Sequence, residues 1–174
     1  MGQEATEPDD IRQDTSDYAV RTAVTVPVSA QRAFEVFSEG LSGWWLKEYT
    51  WSGPQTLVDI GIEPRDGGMA YEIGPFGFRC DWGRVLTWDP PHRLRLTWQI
   101  GADRAPVPDP ARASELEVTF APSGQNTLVT VDHRHFDRHG DDAEGYRKAL
   151  TAGWRELISR YAALAARRPD APPA

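Results

Sequence analysis

The sequence predicts an α+β domain in which one curved antiparallel sheet wraps around a single long C-terminal helix, with two short helices after the first strand. Three observations carry this. Apolar residues at Tyr146, Leu150, Gly153, Trp154, Leu157, Ile158, Tyr161 and Leu164 recur with a 3.6-residue period, which marks one face of a helix. Most segments before it alternate apolar and polar residues, the period of a strand with one buried face. Seven tryptophans supply large, stiff, apolar walls, suited to a core or to a cavity between sheet and helix.

Taken in order, residues 1–17 lack apolar periodicity and are expected to form a disordered tail. Tyr18, Val20, Thr22, Val24 and Val26 alternate with Ala19, Arg21, Ala23 and Thr25 as the first strand, and Pro27 ends it. Ser29 fits the N-cap of a helix that carries Ala30, Ala33, Phe34 and Phe37 on one side. Gly40-Leu-Ser-Gly43 breaks that helix, and Trp44-Trp45 follow on a short second helix or turn. Residues 46–68 show no clear period, and Arg65-Asp-Gly-Gly68 marks a turn. Strands are then expected at Met69–Ile73, Phe78–Trp88, Leu94–Ile100 and Leu116–Phe120, the last after a Pro-rich loop at 101–113. Pro122-Ser-Gly-Gln-Asn126 turns the chain into a final strand, Thr127–Phe136. The long helix is expected from Gly140 or Asp141, where Asp141 and Glu144 resemble a capping box, to the stop at Pro169. One domain over 18–168 results, with 169–174 as a second disordered tail.

Composition narrows the function. A net charge of −7 disfavours nucleic acid and anionic membranes as partners, since both need a clustered basic surface. No apolar run approaches the roughly 20 residues that cross a bilayer. The first residues show no apolar core of a secretory signal, although Met1-Gly2-Gln-Glu-Ala-Thr6 formally fits a myristoylation pattern. A single cysteine, Cys80, excludes an internal disulfide and fits a cytoplasmic location. The expected state is a monomer or weak homodimer without a cofactor.

Several strings then appear in a shared order: Pro27-Val-Ser-Ala-Gln-Arg-Ala-Phe34, Gly43-Trp-Trp45, Glu63-Pro-Arg-Asp-Gly-Gly68, Gly83-Arg-Val85 with Asp89-Pro-Pro-His-Arg-Leu94, Thr97-Trp98, Val131-Asp-His-Arg-His-Phe136 and Gly153-Trp154. Together they resemble the SRPBCC (START, Bet-v-like) superfamily, and within it the Aha-type branch of heat-shock-protein ATPase activators. The resemblance implies the helix-grip fold. Phe37-Ser-Glu-Gly40 ahead of Trp44-Trp45, with His133-Arg-His-Phe-Asp-Arg138 and Gly153-Trp154, is similar to enediyne self-resistance proteins. Those bind a reactive polyketide in the cavity, and self-sacrificing members lose a glycine hydrogen to its diradical. Glycine suits that chemistry because two amides stabilise its Cα radical and no side chain blocks approach. Here the loop after Trp98 offers Gly101 alone, followed by Ala102-Asp-Arg-Ala-Pro106.

The residues themselves point to a cavity. Phe34, Phe37, Trp45, Met69, Tyr71, Trp82, Trp98, Phe120, His133, His135, Trp154 and Ile158 are its expected lining. Strand parity puts His133 and His135 on one face with Val129 and Val131, as polar hooks for a ligand oxygen or as histidines at the rim. A His-x-His pair could also ligate zinc, with His92, His139, Cys80 or Asp137 as a third ligand, but no diagnostic spacing is present. The same parity sets Asp132 opposite His133 and Glu72 opposite Tyr71, so neither makes an acid–base pair with its neighbour. No Gly-x-Ser-x-Gly, P-loop or Rossmann string occurs. The function expected first is binding of an apolar or aromatic small molecule, a polyketide or enediyne by the resemblance, for sequestration or self-resistance. A cyclase of the same fold, using His133, His135 or Tyr71, and a co-chaperone are the alternatives.

Overall fold

The computed structural model describes residues 12–14 and 18–172. Eight antiparallel strands form one sheet in the order β1-β2-β8-β7-β6-β5-β4-β3. They are β1 (Arg12–Asp14), β2 (Val20–Val26), β3 (Asp59–Ile62), β4 (Met69–Ile73), β5 (Arg79–Asp89), β6 (Arg93–Trp98), β7 (Ser114–Ser123) and β8 (Asn126–Arg134). Helix α1 (Ala30–Ser38) follows β2, and α2 (Ala143–Arg167) closes the chain against the sheet. Short 3-10 turns at Leu41–Gly43 and Lys47–Tyr49 carry the chain from α1 toward β3.

The alternation read in the sequence sets the registers. Val20, Thr22, Val24 and Val26 of β2 lie opposite His133, Val131, Val129 and Thr127 of β8, and all eight are buried. Leu116, Val118 and Phe120 continue that inner face on β7, and Leu94, Leu96 and Trp98 on β6. One helix stripe fills the concavity, since Trp154, Leu157, Ile158 and Tyr161 have essentially no exposed surface. Tyr161 donates to the Ala33 carbonyl at 2.8 Å and ties α2 to α1. The outer face of β6, β7 and β8 is a ladder of cross-strand ion pairs, among them Arg95–Glu115 at 3.1 Å and Arg134–Glu117 at 2.8 Å.

Ser29 caps α1 as read, accepting from the Arg32 amide at 3.2 Å. Four features depart from the sequence reading. Residues 12–14, placed in the first tail, form a strand paired with β2; the rest of 1–17, including the myristoylation pattern, lies outside the described residues. Within the second tail, Asp170 accepts from the Ser29 amide at 2.8 Å and from the Ser29 hydroxyl, so the end of the chain is pinned to the start of α1. The stretch 46–68 contains β3, whose pattern of one buried residue in four is too weak to register as alternation. Helix α2 begins at Ala143, not at Gly140 or Asp141. A 3-10 stretch over Phe136–Asp142 precedes it, Gly140 has a positive φ, and Glu144 pairs with Arg147 instead of closing a capping box.

Gly83 on β5 and Gly145 in the first turn of α2 set opposite expectations. A Cβ at Gly83 would lie 2.5 Å from the Thr97 carbonyl oxygen, a backbone atom that cannot yield. Gly83→Ala is expected to destabilise the fold by about 1–3 kcal/mol. Gly145 has nothing within 4 Å of such a Cβ. Gly145→Ala is expected to stabilise by about 0.5–1 kcal/mol through helix propensity. Urea unfolding midpoints of the two variants check both signs.

Candidate functional site

The two ends of the interior differ. At one end Phe34, Phe37 and Phe120 pack with Trp44, Trp88 and Tyr161, ring centroids 4.9–5.8 Å apart. Packed ring against ring, Phe34, Phe37 and Phe120 serve as core. At the other end Trp45, Trp82, Trp98 and Trp154 meet. Trp45 stacks on Trp82 at 5.8 Å with 26° between planes, and Trp98 lies 5.6 Å from both. Trp154 stands edge-on to Trp45 at 6.0 Å.

A small closed cavity of about 10 Å³ lies beside Trp45, Trp82 and Trp98, bounded further by Tyr49, Thr50, Trp51, Ile60, Glu72 and Ile100. Tyr49, Trp98 and Ile100 also line an outer cleft of about 170 Å³, with Arg104, Tyr146 and Leu150 on its other sides. The two spaces are therefore neighbours, with Tyr49, Trp98 and Ile100 shared between them. The Tyr49 ring rests over Gly153 of α2, where any Cβ would lie 3.3 Å from it. Arg104, held in the left-handed region at φ 65, donates to the Glu48 carbonyl at 2.9 Å. That bond straps the 101–113 loop over the mouth. Gly101 lines the cleft and also a more polar one of about 330 Å³ beside Arg112, Arg138 and His139.

The wall around Trp154 is fully satisfied. Trp154 Nε1 donates to His133 Nδ1 at 2.9 Å, so the proton of this imidazole sits on Nε2. His133 Nε2 lies 2.7 Å from Ser114 Oγ, which lies 2.9 Å from His139 Nε2. The Ser114 amide also donates to His139 Nε2 at 3.1 Å, which makes that nitrogen an acceptor. The chain thus runs one way: Trp154 N–H to His133, His133 Nε2–H to Ser114, Ser114 O–H to His139. Burial, helped by His139, holds His133 well below the ordinary histidine pKa, and burial lowers His139 as well. Trp98 Nε1 donates to the Tyr146 hydroxyl at 2.7 Å, which donates to the Ile100 carbonyl at 2.6 Å.

The wall around Glu72 is not satisfied. Glu72 has 1 % of its surface exposed, and its Oε1 has no partner. Its Oε2 faces the Ser52 amide at a long 3.5 Å. Trp45 Nε1 and Trp82 Nε1 are likewise buried and unpartnered, and all three residues line the closed cavity. Burial raises the Glu72 pKa, against weaker opposing pulls from the Ser52 and Trp51 amides and the Thr50 hydroxyl. Cys80 sits opposite Glu72 on β5, its thiol pushed up to about 11 by burial and the nearby carboxylates.

Of the residues expected to line a cavity, the fold brings Trp45, Trp82 and Trp98 to the closed space. His133, Trp154 and Ile158 are packed solid behind them. Met69 and Tyr71 require correction. They lie on the outer face of β4, where the Tyr71 hydroxyl covers Gly61 and Arg79 stacks over the ring at 4.5 Å. The inner face of β4 carries Ala70 and Glu72 instead, because this end of the sheet buries its carboxylate and leaves the larger apolar side chains outside. His135 is a second correction. Strand β8 ends at Arg134 and His135 turns out in the left-handed region at φ 66, so it does not share a face with His133. Both nitrogens of His133 are engaged, which leaves none for zinc, and no group of three metal-binding side chains occurs among the described residues. Tyr49, Thr50, Trp51, Ile60, Glu72 and Ile100 are lining residues the sequence reading omitted. The only available signal was Glu72 itself, a charged residue inside an otherwise apolar strand.

The model of one protein family, described as Activator of Hsp90 ATPase homolog 1-like protein, matches residues 27–166. Among solved structures, an anthrahydroquino-γ-pyrone synthase, Txn09, is 39% identical, covering 83% of this chain and 94% of its own, with a TM-score of 0.59. The self-sacrificing resistance protein CalC from Micromonospora echinospora is 28% identical, covering 91% of this chain and 100% of its own, with a TM-score of 0.62. A protein from Arthrobacter aurescens shares the fold at 18% identity, covering 92% and 93%, with a TM-score of 0.61. No curated protein matches. No helix among the described residues is long and apolar enough to cross a membrane.

The two buried titrating groups act on stability with opposite sign. Glu72 has a raised folded pKa, so its contribution is complete below its ordinary value of 4.5 and is lost as pH rises through the raised one. His133 has a lowered folded pKa, so its contribution is complete above 6.5 and is lost as pH falls. Glu72→Gln removes the first and leaves the second. The stability of Glu72→Gln relative to wild type is expected to grow from pH 5 to pH 8, measured by urea midpoints. A difference independent of pH would contradict the burial of an ionisable Glu72.

Proposed function

From a chain that belongs to the Activator of Hsp90 ATPase homolog 1-like family and has the curved-sheet, helix-grip architecture, we propose binding of a flat, polycyclic, polyketide-type small molecule in the tryptophan-lined interior. The observation that carries this is the alignment of Trp45, Trp82 and Trp98 on one wall that continues past Tyr49 into the outer cleft. Stacked indoles offer apolar faces to a planar guest, and aromatic pairs add about 0.5–1.5 kcal/mol beyond area burial. Small-molecule sites usually occupy roughly 300–1,000 Å³. The guest therefore enters by displacing Tyr49 and the strap at Arg104, which merges cleft and cavity. The similarity to the synthase Txn09 and to CalC supports a polyketide or enediyne as the guest class. The protein works in this reading as a cytoplasmic monomer or weak homodimer within a natural-product pathway, and the buried free thiol of Cys80 accords with that setting.

Once a guest is bound, two roles are open. Sequestration for self-resistance makes Gly101 the hydrogen donor, and its place on both clefts supports that assignment. Mass spectrometry after exposure to an activated enediyne would then show a cut at Gly101, whereas an intact chain restricts the role to holding the guest. Conversion of the guest, as in a cyclase, draws support from the buried carboxyl of Glu72 and not from His133, His135 or Tyr71. A co-chaperone role draws on the family description alone.

Titration with 1,8-dihydroxyanthraquinone is expected to quench tryptophan fluorescence and raise Tm by several degrees. Arg104→Ala, which removes a bond the guest must otherwise displace, is expected to raise the association rate severalfold and lower Kd by a similar factor, measured by stopped-flow fluorescence. Neither quenching nor a Tm shift across a panel of hydroxyanthraquinones and enediynes would overturn the binding reading.

A further inference from the structure

Five buried side-chain polar atoms lack a hydrogen-bond partner among the described residues, and two of them, on Thr22 and Asp132, lie away from the cavity on β2 and β8. The other three, Trp45 Nε1, Trp82 Nε1 and Glu72 Oε1, belong to side chains that line one cavity, and each side chain is at least 95% buried. Leaving a buried donor or acceptor unmade costs on the order of 1–3 kcal/mol. Three such costs in one place are more simply explained by a group that arrives from outside than by poor packing. The neighbouring wall shows the contrast: every side-chain polar atom of Trp154, His133, Trp98 and Tyr146 is engaged.

We propose that Trp45, Trp82 and Glu72 form an oxygen subsite at the deep end of the ligand cavity, which takes a carbonyl oxygen of the guest. The assignment rests on the ligand-binding reading and specifies which edge of the guest goes in first. Indole nitrogens only donate, so two of them ask for an acceptor. No arginine or lysine lines the cavity, which disfavours a carboxylate or phosphate, since either would be buried without a counter-charge. The two N–H groups equally disfavour a cationic amine. A neutral carbonyl oxygen, as in a quinone or aryl ketone, satisfies both donors without bringing in a charge. Glu72 in its acid form supplies a third donor to that oxygen. Where a hydroxyl flanks the carbonyl, the other carboxyl oxygen accepts from it. The apolar rings of the guest then lie along Trp98 toward Tyr49 and the outer cleft.

Once seated, the oxygen is held next to a group able to exchange a proton with it. In a keto–enol change of a guest that carries a C–H on the carbon next to its carbonyl, the C=O π pair takes the Glu72 proton to form the O–H bond while water accepts the proton of the breaking C–H bond. The electron pair of that bond becomes the new carbon–carbon double bond, and the released proton returns to Glu72 through solvent admitted with the guest. Atoms and charge balance without a co-reactant, so the subsite serves a guest that is only held and one that is isomerised.

The test compares 1,8-dihydroxyanthraquinone with anthracene, a flat hydrocarbon with the same three rings, by fluorescence titration of the full chain at pH 6 and pH 9. Wild type is expected to prefer the quinone by about tenfold or more, the equivalent of one added hydrogen bond or two. The preference should fall as pH rises through the raised pKa of Glu72. Glu72→Gln, which keeps a donor, should retain the preference and lose its pH dependence, and Glu72→Leu should bring it close to one. Equal wild-type affinities for quinone and hydrocarbon, or a preference unchanged by pH and by Glu72→Leu, overturn the subsite and leave the binding reading standing. Binding of neither compound overturns both. The wild-type comparison of quinone with hydrocarbon decides even if Glu72→Leu fails to fold, and circular dichroism reports that.

Discussion

The hydrogen bond from Trp154 to His133 fixes how the long helix sits in the sheet. It joins the middle of α2 to the end of β8 across the concave face, where neither partner can reach water. Its geometry dictates the tautomer of His133, and the tautomer dictates the rest: Nε2–H points to Ser114, and Ser114 points to His139 near the surface. A protonated His133 could not accept from Trp154. Folding therefore requires a neutral imidazole, and the depressed pKa of His133 is the thermodynamic expression of that requirement. With helix and sheet locked at this point, the remaining indoles have fixed seats. Trp98 is held by Tyr146, while Trp45 and Trp82 stack against each other over the cavity.

This arrangement divides the interior by function. The half built on Phe34, Phe37, Phe120 and Tyr161 contributes stability through dense ring contacts. The half built on Trp45, Trp82 and Glu72 carries unmet polar groups that lower it. A fold can hold such a debit only where the surrounding packing over-determines the positions of the side chains, and the Trp154–His133 anchor supplies that rigidity on the adjoining wall.

The architecture was legible in the sequence because it rests on periods. The helix stripe from Tyr146 to Leu164 and the alternation along β2, β6, β7 and β8 repeat over enough residues to set both element type and face. The site was less legible. On β4 the alternating residues are Met69, Tyr71 and Ile73 on one face and Ala70 and Glu72 on the other. Hydrophobicity assigns the first set to the interior, but the fold does the opposite. Tyr71 covers Gly61 of the edge strand and carries Arg79 on its ring, so the apolar face has a use outside. His135 failed for a local reason, a left-handed turn that ends the strand at Arg134, two residues earlier than the expected Phe136. Tyr49, Thr50 and Trp51 lie in a segment without a period, and only tertiary structure brings them to the cavity.

The closed state of the cavity is consistent with binding because opening it disturbs little. The mouth is held by one exposed hydrogen bond, Arg104 to the Glu48 carbonyl, and by the Tyr49 ring lying on Gly153. An exposed hydrogen bond of this kind contributes about 0.5–1.5 kcal/mol. Rotating one half-buried tyrosine sacrifices part of its burial, which is worth roughly 1.5–3 kcal/mol for a whole large side chain. A planar guest of several rings that covers Trp45, Trp82 and Trp98 recovers more than this from apolar burial alone, before any polar contact forms. Gly153 is the residue that permits both positions, since any larger side chain would press on the Tyr49 ring and bias it outward. In the proposed reading the Tyr49 ring covers the unpartnered carboxyl and indoles until a guest with enough aromatic surface displaces it, so the same three residues that make the interior costly when empty would select what opens it.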